Sequence, residues 1–384
     1  MELPNKPPIN YLCTKVILQH MSFSMRTRVV QRCPTMVPLH KSTPVQIHNI
    51  ILTPLKIVID GHTTFNLSVV CIPKTGETSR YLRLKNKEGG WNYDMDEYGF
   101  KHQELEDAIR DKEMARWERD GQKMEEELEE DLKNSNAMFH EVLKNKYERS
   151  HGNSIFKLEM YNLKRAGQPS PFNRYIRLEA VSSSKSYRRV EYINYDGLSK
   201  SMYSLISKLF ESLNDNTIKI GNIKVEKGGV DLLRSISLKI NHNEFPVKSI
   251  TTVGSTYGKL NIFKNIGIHI IENCAVKLRS IATRVHFQAS SYRSRSFHRL
   301  IESLKRKSIG NHLSIEAKRV GPRCLSSIPN SVKGTIIVDG NRITCYTVED
   351  RKKRIEINCY YIPIPNNTSQ VHAVVYPIGH AIRD

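Results

Sequence analysis

Apolar residues recur at helical spacing near the start of the chain. Leu12, Val16, Ile17 and Met21 follow one another in this way, which predicts a short helix opened by the Pro7-Pro8 pair with these residues along one face. Ser22 and Ser24 interrupt the pattern, and a serine just before Met25 is a suitable N-cap for a second helix. That helix is expected to bury Val29 and Val30 and to turn Arg26, Arg28 and Arg32 to solvent. Pro34 ends it, because proline has no amide hydrogen and disfavours helix in the residue before it.

Period-two alternation takes over further along. Ile57-Val58-Ile59, the turn Asp60-Gly61 and the alternating Phe65, Leu67 and Val69 predict a hairpin between Lys56 and Val70. The same design returns near the end, with Ile336-Ile337-Val338, the turn Asp339-Gly340-Asn341, Ile343 to Tyr346, and a further strand from Ile355 to Ile362. Between them, Leu198, Met202, Leu205, Ile206, Leu209, Phe210 and Leu213 define the clearest amphipathic helix of the chain. Strands are expected at Ile218 to Val225, Ile236 to Ile240, Ser249 to Val253, Ile266 to Ile271 and Ile281 to Gln288. A helix through Phe297, Leu300, Ile301 and Leu304 then leads into Leu313-Ser314-Ile315.

The predicted fold class is therefore α+β, with a mixed sheet, hairpins and a short N-terminal helical module. By residue the parts are that module (8–40), a β-rich segment (45–100), a charged helical insert (101–150), an α+β or degenerate repeat region (151–325) and a C-terminal hairpin segment (330–384). Helix followed by an Ile-x-Ile strand occurs at both ends of the 151–325 region. A degenerate solenoid resembling leucine-rich repeats and an ordinary α+β domain both fit that pattern.

Charge divides the chain. It carries a net +20 overall, yet residues 101–150 hold 10 Lys/Arg against 15 Asp/Glu. From about Gln103 to Tyr147 the composition fits a solvated helix or helical hairpin, a partner-binding helix or an internal electrostatic partner for the basic body, with a thin apolar stripe through Leu105, Ile109, Leu128, Leu132, Phe139 and Leu143. Trp117 and Phe139 are its candidate anchors for a partner. No apolar run approaches the ~20 residues that span a bilayer, and the first residues lack a basic start followed by an apolar stretch. A cytoplasmic or nuclear location is expected. Seven cysteines (Cys13, Cys33, Cys71, Cys274, Cys324, Cys345, Cys359) are scattered, with no Cys-x-x-Cys, which argues for reduced thiols and against zinc.

The search for chemistry yields little. Gly254 to Lys259 has the outline of a phosphate loop but is one residue short between its glycines, with Leu260 where Ser or Thr would hold magnesium. There is no nucleophile elbow and no His-Glu-x-x-His helix. None of His20, His62, His286 and His298 stands at ligand spacing beside another ligand type. No cofactor and no catalysis are expected. Residues 151–384, however, carry 37 Lys/Arg against 17 Asp/Glu, including Arg293, Arg295, Lys305 to Lys307, Lys318-Arg319 and Arg351 to Arg354, with Tyr187, Tyr292 and Tyr346 near them. Nucleic-acid binding by phosphate attraction and base stacking is therefore the alternative function.

The order of proline, short helix, Ile17-Leu18-x-x-Met21, serine-containing turn and basic second helix resembles an F-box. The chain resembles the nematode F-box C family, in which such a start precedes a nematode-specific domain of unknown function. The residues that carry the likeness are RCPTM at Arg32 to Met36 with Pro38-Leu39 soon after, WNYDMDEYGF at Trp91 to Phe100, and ITCYTVEDRKKRIEINCYYIP at Ile343 to Pro363. The resemblance implies a non-catalytic substrate adaptor that docks on the Skp-type adaptor subunit of a cullin ubiquitin ligase and recruits a protein substrate. It also implies that Leu12, Val16, Ile17, Leu18 and Met21 on the first helix, with Val29 and Val30 on the second, form or support the docking surface.

Overall fold

The computed structural model describes residues 11–76, 79–101, 119, 122–123, 126–127, 129–130, 133, 140–183, 187–211, 213–241, 243–253, 260–272, 280, 282–288, 294–317, 325–364 and 368–383. The Pro7-Pro8 pair, the Gly254 to Lys259 segment, Trp117, Phe139, Cys274, Cys324, Tyr292, Arg293 and Lys318-Arg319 lie outside them, as does most of the acidic insert. The chain is mixed α+β. It forms two compact units, one from Met1–Thr63 and Leu205–Asp384, the other from Thr64–Ser204.

The first unit begins with α1 (Tyr11–His20) and α2 (Phe23–Arg32). The N-cap of α2 is Ser22, whose hydroxyl accepts from the Met25 amide, so the helix starts two residues before the position expected from Ser24. A short turn at Pro34–Met36 leads into α3 (Val37–Ser42), and β1 (Val45–Thr53) and β2 (Lys56–Ile59) follow as a hairpin.

Arg26 is not on a solvated face. It is 1% exposed and ranks among the largest fully buried side chains. Its Nε donates to His40 Nδ1 at 2.8 Å, Nη1 to the Pro44 carbonyl at 2.8 Å, and Nη2 to the carbonyls of His40 and Thr43. These are the carbonyls freed where α3 ends and the chain turns into β1, groups that must find donors once buried. One guanidinium supplies them all, a fit that its forked donors allow and an ammonium would not. Burial holds its pKa down to about 10.

The second unit contains β3 (Thr63–Pro73), α4 (Arg80–Lys87), α5 (His140–Arg165), β4 (Phe172–Ser182) and β5 (Arg188–Asn194). The chain returns to the first unit within α6 (Leu198–Glu211). The WNYDMDEYGF stretch is a structural knot of the second unit. Trp91, Met95, Tyr98 and Phe100 are buried, and Trp91 and Phe172 both stack on Phe156 from α5, at 6.3 and 5.8 Å. Gly90 precedes Trp91 with a φ of +86°, and a side chain there would run into the Val69 carbonyl, so only glycine allows the paired Val69–Trp91 bonds. Asp94 Oδ1 accepts from the Leu198 amide at 2.6 Å and from the Tyr195 hydroxyl at 2.9 Å, capping the start of α6 from a distant part of the sequence.

The rest of the first unit is β6 (Ile218–Val225), α7 (Val230–Ile236), β7 (Ser249–Val253), β8 (Ile268–Glu272), β9 (Arg284–Gln288), α8 (Ser294–Leu304) and β10 (His312–Ala317). Then come β11 (Val332–Val338), β12 (Asn341–Asp350), β13 (Ile355–Ile364), β14 (Thr368–Pro377) and β15 (Ile382–Arg383). Residues 236–240, expected as a strand, are the end of α7 and a helical turn at Ser237–Lys239. Val230, Leu232, Leu233 and Ile236 are all buried, a helical rather than an alternating set.

β1, β6, β7, β8, β9 and β10 lie side by side in that order, all parallel. β10 then pairs antiparallel with β14, and β14, β13, β12 and β11 form an antiparallel meander with β15 on β11. Register stacks Ile50, Ile223, Ile250, His269, Val285 and Leu313 in one row, and Leu52, Val225, Thr252, Ile271, Phe287 and Ile315 in the next. Every member of both rows is buried. Within them His269 bridges Thr252 Oγ1 at 3.0 Å and Ser280 Oγ at 2.7 Å. Glu356, fully buried on β13, accepts from the Gly379 and Ala381 amides and from Asn358, which holds the last turn against the meander.

Two substitutions test these anchors. Arg26→Met would remove the guanidinium donor from the carbonyls of His40, Thr43 and Pro44 and from His40 Nδ1, and is expected to cost about 3 kcal/mol or more, read as a lower urea midpoint. An unchanged midpoint would refute the anchoring role. Asp94→Ala is expected to cost about 1–2 kcal/mol through loss of the remote cap, with the far-ultraviolet helix signal melting earlier than in the parent chain.

Candidate functional site

The N-terminal helix pair divides its apolar residues in an unexpected way. Leu18, on the opposite side of α1 from Leu12 and Val16, is wholly buried, while Leu12, Val16 and Ile17 are 68%, 52% and 43% exposed. The stripe that periodicity picks out thus faces outward. Leu18 holds the helix down. On α2, Val30 is buried, Val29 and Met21 before the helix are half-buried, and Met25 is exposed. The inward anchor of α2 is Phe23, whose ring packs on Phe210 of α6 at 5.3 Å. Of the residues assigned to docking, Leu12, Val16 and Ile17 present surface, whereas Leu18 and Val30 support it from beneath.

A second feature had no signature in the sequence. Strand alternation sends Asn222, Ser249, Arg284, His286, His312, Ser314, Gln370 and His372 to the face of the sheet opposite the buried rows. There they bond across strands, not along them. Asn222 Nδ2 donates to Asn49 Oδ1 at 2.9 Å and Ser249 Oγ donates to Asn222 Oδ1 at 2.8 Å. Lys224 pairs with Glu272 at 3.1 Å. Further along, His286 Nδ1 meets Ser314 Oγ at 2.8 Å and its Nε2 lies 3.6 Å from Glu316, while His312 Nε2 and His372 Nδ1 share a bond of 2.8 Å. Tyr360 stacks nearly parallel on His372. The face deepens here into a cavity of about 370 Å³ lined by Arg284, His286, His312, Ser314, Gln370 and His372.

His286 was read from the sequence as isolated. The register of β9, β10 and β14 brings it together with His312 and His372, residues from distant parts of the chain. The only local hint is alternation, with His286 between Val285 and Phe287 and Ser314 between Leu313 and Ile315. The imidazole nitrogens bond to one another and to hydroxyl and carboxylate neighbours rather than converging on a point, and no group of metal ligands occurs among the described residues. Of the basic run candidates, Lys305 pairs with Glu302, Arg351 with Glu349, and the Lys353 ammonium donates to the Lys305 carbonyl. No helix among the described residues is long and apolar enough to cross a membrane.

No family model, no curated protein and no solved structure matches the chain.

Three buried histidines, His40, His269 and His372, and the half-buried His312 make stability dependent on pH. Burial, aided by the Arg26 charge, pushes His40 down to about 4. Burial alone takes His269 to about 3. Burial, with Arg284 and His286, holds His312 at about 4, and burial with His312, His286 and Arg284 does the same for His372. All lie below the ordinary value of about 6.5 that they regain on unfolding, so the unfolded chain binds more protons. Stability is expected to be full above about pH 6.5 and to fall as pH drops toward 4. Melting temperatures measured between pH 7.5 and 5 should decline, and a flat profile would contradict neutral buried imidazoles.

Proposed function

We propose that this chain is a non-catalytic adaptor of the F-box-like type, which docks through α1 on the Skp-type adaptor subunit of a cullin ubiquitin ligase and recruits a protein substrate. The observation that carries the reading is the outward set Leu12, Val16 and Ile17 on a helix already anchored by Leu18. Burying a Leu, Val or Ile is worth ~1.5–3 kcal/mol, so three such side chains supply a useful interface. The resemblance across Trp91 to Phe100 and Ile343 to Pro363 supports the lineage, since both stretches hold the structure together rather than perform chemistry. The half-exposed polar face of the sheet is the recognition surface in this reading. Its ordered parallel strands, β6 to β10, agree with a degenerate solenoid of the leucine-rich-repeat kind, in which successive strands line a binding face.

The test is co-purification of the full-length chain with ligase subunits. Leu12→Asp combined with Ile17→Asp is expected to weaken adaptor binding about 100-fold or more with no change in melting temperature, because both residues are exposed. Leu18→Asp should instead lower the melting temperature. Recovery of no adaptor or cullin subunit with the unaltered chain would overturn the reading. Recovery of nucleic acid that is released by salt would replace it with the alternative function of a nucleic-acid-binding protein.

A further inference from the structure

The cavity between β9, β10 and β14 holds an unbalanced set of charges and hydrogen-bonding atoms. Arg284, exposed on β9, makes no hydrogen bond or ion pair with any of the described residues. Glu316, a carboxylate on this stretch of the face, lies 3.6 Å from His286 Nε2, and His286 Nδ1 bonds to Ser314. His312 and His372 therefore sit beside an uncompensated guanidinium. Around them stand Ile268 from β8, Arg284 and His286 from β9, Glu316 from β10, Tyr360 from β13 and Gln370 from β14. Of these, Arg284 and His286 act to keep both rings of the pair uncharged, and no carboxylate among the groups acting on them opposes that.

The pair also leaves one atom unsatisfied. His312 Nε2 and His372 Nδ1 share a single hydrogen bond, and His372 Nε2 is buried with no hydrogen-bond partner among the described residues. His372 itself is 9% exposed. An orphaned buried polar atom beside a cavity lined by arginine, histidine, serine and glutamine side chains is the mark of a site that is completed by something else, because leaving such an atom unbonded costs about 1–3 kcal/mol. A cavity of about 370 Å³ is much larger than one water requires. Among the described residues, Glu316 acts on His286 and Asp339 on Tyr360, but no carboxylate acts on His312 or His372 themselves. A planar or tetrahedral oxyanion beside Arg284 would receive paired N–H donors from the guanidinium, the geometry that arginine is shaped to give. It would also supply the counter-charge that lets the His312–His372 pair take up a proton and turn its neutral hydrogen bond into a charge-assisted one.

We propose that the Arg284–His312–His372 pocket is a binding site for a phosphate or carboxylate group. The inference stands apart from adaptor docking, since it involves no residue of α1 or α2 and could hold if that docking failed.

The experiment titrates the full-length chain separately with inorganic phosphate and with acetate, at constant ionic strength in chloride, and follows heat release and the histidine ring signals by nuclear magnetic resonance. Saturable binding to either probe is expected, phosphate alone marking a phosphate-specific pocket and both marking a general oxyanion pocket. The affinity should fall at least tenfold in Arg284→Gln, a change at an exposed residue whose melting temperature checks that the fold is kept. Binding should also be tighter at pH 6 than at pH 7.5, as the pair takes up a proton with the anion. In His372→Phe that pH dependence should be lost while Arg284-dependent binding persists; should this variant fail to fold, His312→Gln serves the same purpose. Non-saturable response to both probes, affinity unchanged in Arg284→Gln, or an affinity independent of pH in the parent chain would each overturn the proposal.

Discussion

The parallel pairing of β1 with β6 is the constraint on which the first unit depends. Seven pairs, from Val45 opposite Ile218 to Leu52 opposite Val225, join the start of the chain to a strand more than 150 residues later. Closing so long a loop is entropically costly, although the cost rises only slowly with length. It is offset by Ile47, Ile50 and Leu52, which are buried along one side of β1 and continue the apolar rows of the later parallel strands. Even the backbone is fitted to this contact: a side chain at position 221 would stand 2.7 Å from the His48 carbonyl, so β6 carries glycine there. Residues 64–204 become an inserted unit because the two strands on either side of the insertion are committed to each other.

That pairing also explains why a buried cation is tolerated near the N-terminus. The helices before β1 must turn sharply into it, and the turn exposes carbonyls that neither helix nor sheet can satisfy. Arg26 satisfies them from one side chain, His269 ties β7 to β8 and the Ser280 segment, and Glu356 collects the amides of the final turn. Each of these three groups is tied by hydrogen bonds to segments outside its own element. Against that, His372 with its unbonded Nε2 and Arg284 with no counter-charge stand out as groups that the described residues do not complete.

Much of the architecture was legible in the residue pattern, for a definite reason. Ile218 to Val225 and Ser249 to Val253 alternate because one face of the sheet is buried and the other is not, and the structure has strands over the same residues. The hairpin turns were readable because Asp60-Gly61 and Asp339-Gly340 adopt the positive φ values that those residue types permit. The stretch Ile236 to Ile240 misled because its two isoleucines look like strand ends, whereas Val230 to Ile236 is the apolar face of a short helix. Arg26 misled for a different reason: charge normally marks a solvated face, and nothing in the local sequence reveals three carbonyls waiting for donors.

The sequence by itself determined the local periodicities, hence the types of most elements, the turn positions and the presence of an apolar stripe on the first helix. Only the tertiary structure decided which side of that helix faces inward: Leu18 takes the buried position on α1, which packs against α3. Likewise, only sheet register assembled His286, His312 and His372 around Arg284. Periodicity is a property of neighbours along the chain, while a pocket is a property of neighbours across strands, and the separation between the two is set by loops whose lengths follow no repeat.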